Sequence, residues 1–248
     1  MENQESKTSS SLITPGDATS TCWSCGDMRA AHFCSACGKV QPPLPVDYFT
    51  FFALPRKLNL DPATLEKEFY ELSRHLHPDL SARFDKREQE WSMEKTSQLN
   101  DAYRTLKDPI RRTEYLLRLE GVELEEQSKT ATEKARATGE VKKQVVPPAL
   151  LEEVFELNLQ LEELRASQKM GESDPGLARE LENRKAELEK KLAGLSEELQ
   201  GYWDDWDRLV DSGSEEDRRK VRDKMVDLLN RRNYLRNLVR DVNEALGN

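Results

Sequence analysis

Three leucine-rich runs separated by two short breaks constrain this chain more than any other feature. In the first, Leu150, Val154, Leu157, Leu161 and Leu164 step by four, three, four and three. Beyond the break GESDPG, Leu181, Leu188, Leu192, Leu195, Leu199, Tyr202 and Trp206 keep a similar register. Beyond DSGSEED, a last run carries Val221, Met225, Leu228, Leu235, Val239, Val242 and Leu246. Such spacing lines the residues up along one stripe of an α-helix, and a stripe of that kind must be buried. Long amphipathic helices joined by short loops fold back on one another. Residues 147–248 are therefore expected to form an antiparallel three-helix bundle.

The upstream part also reads as helix. With only 11 Gly and 11 Pro in 248 residues, and stretches rich in Leu, Glu, Lys and Arg, helix is favoured nearly everywhere after position 46, and the expected class is all-α. Residues 1–20 are polar and Ser/Thr-rich with nothing to bury, which predicts a disordered tail. PPLP, residues 42–45, is a stiff spacer ahead of the aromatic segment DYFTFFALP. Asp61 then caps a helix with Pro62 in its first turn and Leu65, Phe69, Leu72 and Leu76 on one face. A further helix spans about Lys86 to Lys107, with Leu99, Ala102, Tyr103 and Leu106 together, and stops at Asp108-Pro109. RRTEYLLRLEG makes a short fourth helix ending on Gly121, and residues 122–146 read as a charged linker. The segment 46–121 and the bundle each carry their own apolar core, so removal of residues 1–40 should leave both folded.

All four cysteines fall in residues 21–41, as Cys22-Trp-Ser-Cys25-Gly and Cys34-Ser-Ala-Cys37-Gly. Two residues between the thiols of a pair let both reach one ion, and the following glycine lets the backbone curl around it. A structural zinc held by Cys22, Cys25, Cys34 and Cys37 is expected, in a zinc-ribbon-like module. Iron is the alternative, since four thiolates hold it as well. Disulfides do not suit an intracellular chain, and the paired arrangement does not suit a redox dithiol. His32 lies between the pairs, but four sulfurs already complete a tetrahedron.

Between the second and third of the upstream helices stands RHLHPDL, with His77, Pro78 and Asp79 in the turn. The aromatic first helix, the amphipathic second, the His-Pro-Asp turn and a third helix ending NDAYRTLKDP resemble, in that order, a J domain. This four-helix module is the one by which co-chaperones drive ATP hydrolysis on DnaK-type chaperones. The resemblance implies that Asp79 offers its carboxylate to the chaperone's ATPase domain, that Pro78 fixes the loop and that His77 completes the contact. It also implies a basic docking face on the second helix, here Lys67 and Arg74, partly neutralised by Glu71. With DYFTFFALP, His-Pro-Asp, NDAYRTLKDPIRRTEYLLRLEG and ALLEEVFEL taken together, residues 47–248 are similar to the HscB family of iron–sulfur cluster assembly co-chaperones, and the cysteine pairs extend the match to Cys22. In that family the bundle binds the scaffold IscU and presents it to HscA, a DnaK-like ATPase. The implied scaffold-binding positions are Leu151, Phe155, Glu156 and Tyr234, with Glu152 and Leu159 departing from the family's usual residues.

Periodicity supports a client surface by a separate route. Leu151, Phe155 and Leu159 form a second apolar stripe roughly 140° from the core stripe of their helix, and Tyr234 lies about as far from the core line of the last helix. Surplus apolar residues of this kind mark a binding patch, unless the helix is buried on two sides. A formal charge of -9 argues against bulk attraction to nucleic acid or anionic membrane, and no apolar run approaches a bilayer span. The expected location is the bacterial cytoplasm, or the mitochondrial matrix of a eukaryote, and the expected state is a monomer or a weakly self-associating chain. Only three histidines occur, and none forms a catalytic cluster with the cysteines, so the chain reads as an activator and not an enzyme. A zinc oxidoreductase, a coiled-coil adaptor and a general J protein with another client are the rival readings.

Overall fold

The computed structural model describes residues 21–27, 32–76, 84–122, 150–171 and 174–247. Among these residues the chain is all-helical, with seven helices and one isolated antiparallel bridge, Phe33 to Val40. It divides into two compact units, residues 1–119 and 120–248. The expected disordered tail and most of the expected linker lie outside the described residues.

In the first unit, α1 (Tyr48–Phe51) is a single turn held by its cap: Asp47 Oδ1 accepts from the amides of Phe49 and Thr50. Asp47 Oδ2 accepts from the Thr50 hydroxyl and from Arg56, so the buried carboxylate is fully satisfied. α2 (Pro62–Leu76) begins on Asp61, which accepts from Thr64 N at 3.1 Å. α3 (Lys86–Lys107) begins on Asp85, and α4 (Pro109–Leu119) on Asp108, whose carboxylate accepts from Ile110 N and Arg111 N. Tyr103 of α3 meets Glu66 and Phe69 near the start of α2, whereas Ser92 and Thr96 meet Leu76 at its end, so α2 and α3 are antiparallel. Phe49, Leu58, Leu65, Leu76, Leu99, Leu106, Leu116 and Leu117 fill the core.

The second unit consists of α5 (Leu151–Lys169), α6 (Pro175–Ser212) and α7 (Glu215–Leu246). Gln160 pairs with Glu180, Glu156 with Arg184 and Glu153 with Lys191, a descending register that makes α5 and α6 antiparallel. Gln168 near the end of α5 donates to the Ala245 carbonyl near the end of α7, so those two run parallel. Asp174 and Ser214 cap α6 and α7. The three-helix bundle read from the leucine spacing is present, with two shifts. Trp203 is buried on α6, where Leu192 and Tyr202 are only half-covered. On α7, residues 233, 234, 235, 237 and 238 are all buried, so more than one face of that helix is covered. No described helix is long and apolar enough to cross a membrane.

Candidate functional site

The two cysteine pairs fold into matching turns. Gly26 N donates to the Cys22 carbonyl and Cys22 N to Asp27; Gly38 N donates to the Cys34 carbonyl and Cys34 N to Lys39. Both turns need a glycine in the left-handed region, at φ of 80° and 72°. The two turns face each other and bring all four sulfurs within 4.8 Å of one another, with no disulfide among them. Cys22 Sγ lies 3.7 Å from Cys37 Sγ and Cys25 Sγ lies 3.5 Å from Cys34 Sγ. Sulfurs about 2.3 Å from a tetrahedral ion would sit roughly 3.8 Å apart, so the four fit a metal ion. Burial opposes the charge on Cys22, but donation from the Cys25 and Ser24 amides and the adjoining thiols brings it down to about 6. The Asp27 amide favours the Cys25 thiolate, yet the neighbouring thiols and burial push Cys25 up to about 12. Four thiolates crowd one another, and a bound cation relieves that repulsion. Buried Gln41 adds an outer contact by donating to Cys22 Sγ at 3.4 Å.

His32 is not a ligand. Its Nε2 donates to the Phe51 carbonyl at 2.8 Å, its ring packs on Phe51, and burial pushes its pKa down to about 4. The cysteine module is instead seated on the J-domain helices. The fully buried Glu88 carboxylate of α3 accepts from Lys39 Nζ at 2.7 Å and from Val40 N at 3.2 Å. Trp23 meets Trp91 edge-on at 5.6 Å while its indole N–H donates to Val40, and the Arg87 guanidinium lies over both rings. Phe33 packs on His75 near the end of α2. These contacts rest on Gln41, Glu88, Trp91 and Lys95, which no motif in the sequence marks. The clue available is compositional: a tryptophan inside a cysteine pair and a second one among charged residues.

The turn residues His77, Pro78 and Asp79 lie outside the described residues. Their anchor is described: the Leu76 carbonyl, one residue before His77, accepts from Ser92 Oγ at 3.0 Å and Thr96 Oγ1 at 3.3 Å. Those hydroxyls fix the point where the chain leaves α2. On the outer face of α2, Lys67 and Arg74 are exposed; Lys67 lies 4.0 Å from Glu71, and Arg74 makes no ion pair among the described residues. Glu71 therefore pairs with Lys67 and does not reach both.

On α5, Val154, Leu157, Leu161 and Leu164 are buried, while Leu151, Phe155 and Leu159 are 54%, 66% and 51% exposed. Glu156, beside them, is bridged to Arg184 at 3.1 Å. Tyr234 departs from expectation: it is only 4% exposed and so is not part of this exposed stripe. Its burial belongs to a second line at helical spacing, Tyr234, Leu238, Val242 and Ala245, set off from the stripe of Val221, Met225 and Leu228.

Residues 47–115 match the DnaJ domain family. A co-chaperone protein HscB homolog of Vibrio campbellii is 32% identical over 161 residues, which cover 64% of this chain and 83% of that protein. The chain belongs to the HscB co-chaperone family. Another relative, the iron-sulfur cluster co-chaperone protein HscB homolog of Arabidopsis thaliana, is 33% identical over 137 residues, 55% of this chain; the match spans about half that protein's length, 48%. The crystal structure of human co-chaperone protein HscB shares the fold, with a TM-score of 0.56 at 22% identity over 91% of this chain and 98% of that one. For this HscB-family chain, the cysteine centre, the base of the His-Pro-Asp turn and the exposed face of α5 are the candidate sites.

Proposed function

We propose that this HscB-family chain stimulates ATP hydrolysis by a DnaK/HscA-type chaperone through His77, Pro78 and Asp79, while its bundle holds an IscU-type iron–sulfur scaffold and so promotes cluster transfer. The observation that carries the client half of this reading is the exposed stripe of Leu151, Phe155 and Leu159 on a helix whose core face is already buried. Apolar side chains left in water by the bundle gain free energy only when a partner covers them. Glu156 borders the stripe as a polar rim and already has Arg184 as a partner, so it adds direction more than energy. Tyr234, buried on α7, is not a contact in this proposal.

The chaperone half rests on the J-domain fold and on the tethered Leu76 carbonyl. The Asp79 carboxylate would meet a cationic partner on the chaperone, and a charge-assisted hydrogen bond of this kind is directional. Contacts made with one nucleotide-linked state of the chaperone and not the other would shift it toward hydrolysis. Lys67 and Arg74 would steer the approach from the side. This chain itself activates without bond chemistry.

Zinc is the metal proposed for Cys22, Cys25, Cys34 and Cys37, because a set of four thiolates leaves no coordination site open and suits a structural ion. The decisive experiment for the client site is titration of an IscU-type scaffold into wild type and into the double variant Leu151→Ala, Phe155→Ala. Binding should weaken by about 2–4 kcal/mol with little change in melting temperature. Unchanged affinity would remove the stripe as the client site.

A further inference from the structure

Lys95 is a buried charge with no ion pair among the described residues. Its side chain is nearly sealed from solvent, at 3% exposure, although it belongs to a helix surface rich in charged residues. Its Nζ donates to the His32 carbonyl at 3.2 Å, and no other hydrogen bond or ion pair of that ammonium is found among the described residues. The buried acids of this unit are engaged elsewhere: Glu88 takes Lys39 and the Val40 amide, and Asp47 takes Arg56 and Thr50. Glu94, next in sequence, is exposed and acts on the ammonium through its charge without a direct ion pair. An ammonium has three N–H donors, so two are left over.

Lys95 borders a cavity of about 50 Å³ at the seam between the cysteine module and the J-domain helices. Leu44, Val46 and Phe51 give it apolar walls; Gln98 and Thr50 supply polar edges. The Thr50 hydroxyl is committed as a donor to Asp47, whereas the Gln98 side-chain amide has no hydrogen bond among the described residues. His32 also lines the space. Donors converge here, and no carboxylate of the described residues is among the lining.

We propose that this cavity binds a small monovalent anion, a halide or a one-carbon oxyanion such as formate or bicarbonate, held by the Lys95 ammonium and the Gln98 amide. Water would satisfy the spare N–H groups but leave the charge uncompensated, and an unpaired buried ion costs several kcal/mol. Burial already depresses the Lys95 ammonium to about 8, a pressure that a bound anion relieves. On this measure about 10–15 Å³ holds one water, so the space has room for a halide or a three- or four-atom anion, whereas a bulky sugar acid fits it poorly. Because the lining comes from both the cysteine module and the J-domain helices, an anion there joins the two.

Thermal unfolding of the full chain, at fixed ionic strength and pH 7, tests this in sodium chloride, sodium formate and sodium gluconate, the last anion being far bulkier than the other two. The midpoint of the first unit should rise with chloride or formate relative to gluconate and climb logarithmically with anion concentration above the dissociation constant. Lys95→Met, checked for unchanged helicity, should abolish the difference. Crystals of the wild-type chain soaked in bromide should show an anomalous peak within hydrogen-bonding distance of Lys95 Nζ, a readout that does not depend on the variant folding. Equal midpoints in chloride and gluconate, the same anion effect in Lys95→Met, or a bromide-soaked cavity holding water alone would each overturn the proposal.

Discussion

Glu88 and Lys95 lie two turns apart on α3, and both are buried, yet they have opposite consequences. Glu88 accepts from Lys39 and from the Val40 amide, so its charge ties the cysteine module to the helix. Glu88→Ala should lower the stability of the first unit by about 2 kcal/mol, since the Lys39 side of the pair is partly in water and is lost at a discount. Chemical unfolding of the two proteins gives this directly, and an unchanged midpoint would mean that the pair contributes nothing. Lys95 works against the fold. Its ammonium titrates near 8 when folded, below its ordinary value of 10.5. Between those values the unfolded chain holds a proton that the folded one has released, so stability should rise with pH across the window. The gain, on the order of 3 kcal/mol at most, should appear in gluconate buffer as the difference between wild type and Lys95→Met. A constant difference from pH 8 to 10.5 would show that Lys95 is not desolvated.

At the scale of helices, the two faces of α5 should respond in opposite ways. Leu161→Ala removes a side chain that is 3% exposed and should cost about 2–5 kcal/mol of bundle stability, whereas Phe155→Ala, at 66% exposure, should leave the melting curve almost unmoved. Matched losses in the two variants would mean that Phe155 is covered in solution. That α5 has a spare face was legible in the sequence because leucine and phenylalanine spacing records the stripes directly. The cap at Asp61 and the stop at Asp108-Pro109 were equally readable, being local chemistry. Burial of Tyr234 is recorded only in a second line with Leu238, Val242 and Ala245, and which of two lines on a helix is covered depends on what surrounds it. The same holds for Trp203 in place of Tyr202, a shift of one residue that rotates the buried direction by about 100°. The four cysteines announced their shared site through spacing alone, but the seat beneath them, Glu88, Trp91 and Lys95, comes from a segment some fifty residues away with no spacing to betray it.

For the molecule as a whole, the seating of the cysteine module on α3 alters the consequence of losing it. Separate apolar cores imply that the J domain and the bundle stay folded without residues 1–40. The structure places Lys39 and Trp23 against Glu88, Trp91 and Arg87, and the His32 carbonyl on Lys95. Deleting residues 1–40 should therefore lower the melting midpoint of the first unit and leave that of the bundle in place, as calorimetry can resolve. Metal removal by a chelator should act in the same direction through the same contacts. The proposed function is a joint action, in which the J domain would engage an ATPase while the bundle offers it a client. Steady-state ATP turnover by a purified DnaK/HscA-type chaperone, with and without an IscU-type scaffold, measures both at once. Wild type should stimulate turnover and stimulate it further when the scaffold is present; folded Asp79→Asn should do neither, and Leu151→Ala, Phe155→Ala should keep the first effect and lose the second. Full stimulation by Asp79→Asn, or no stimulation by wild type under any condition, would contradict the account.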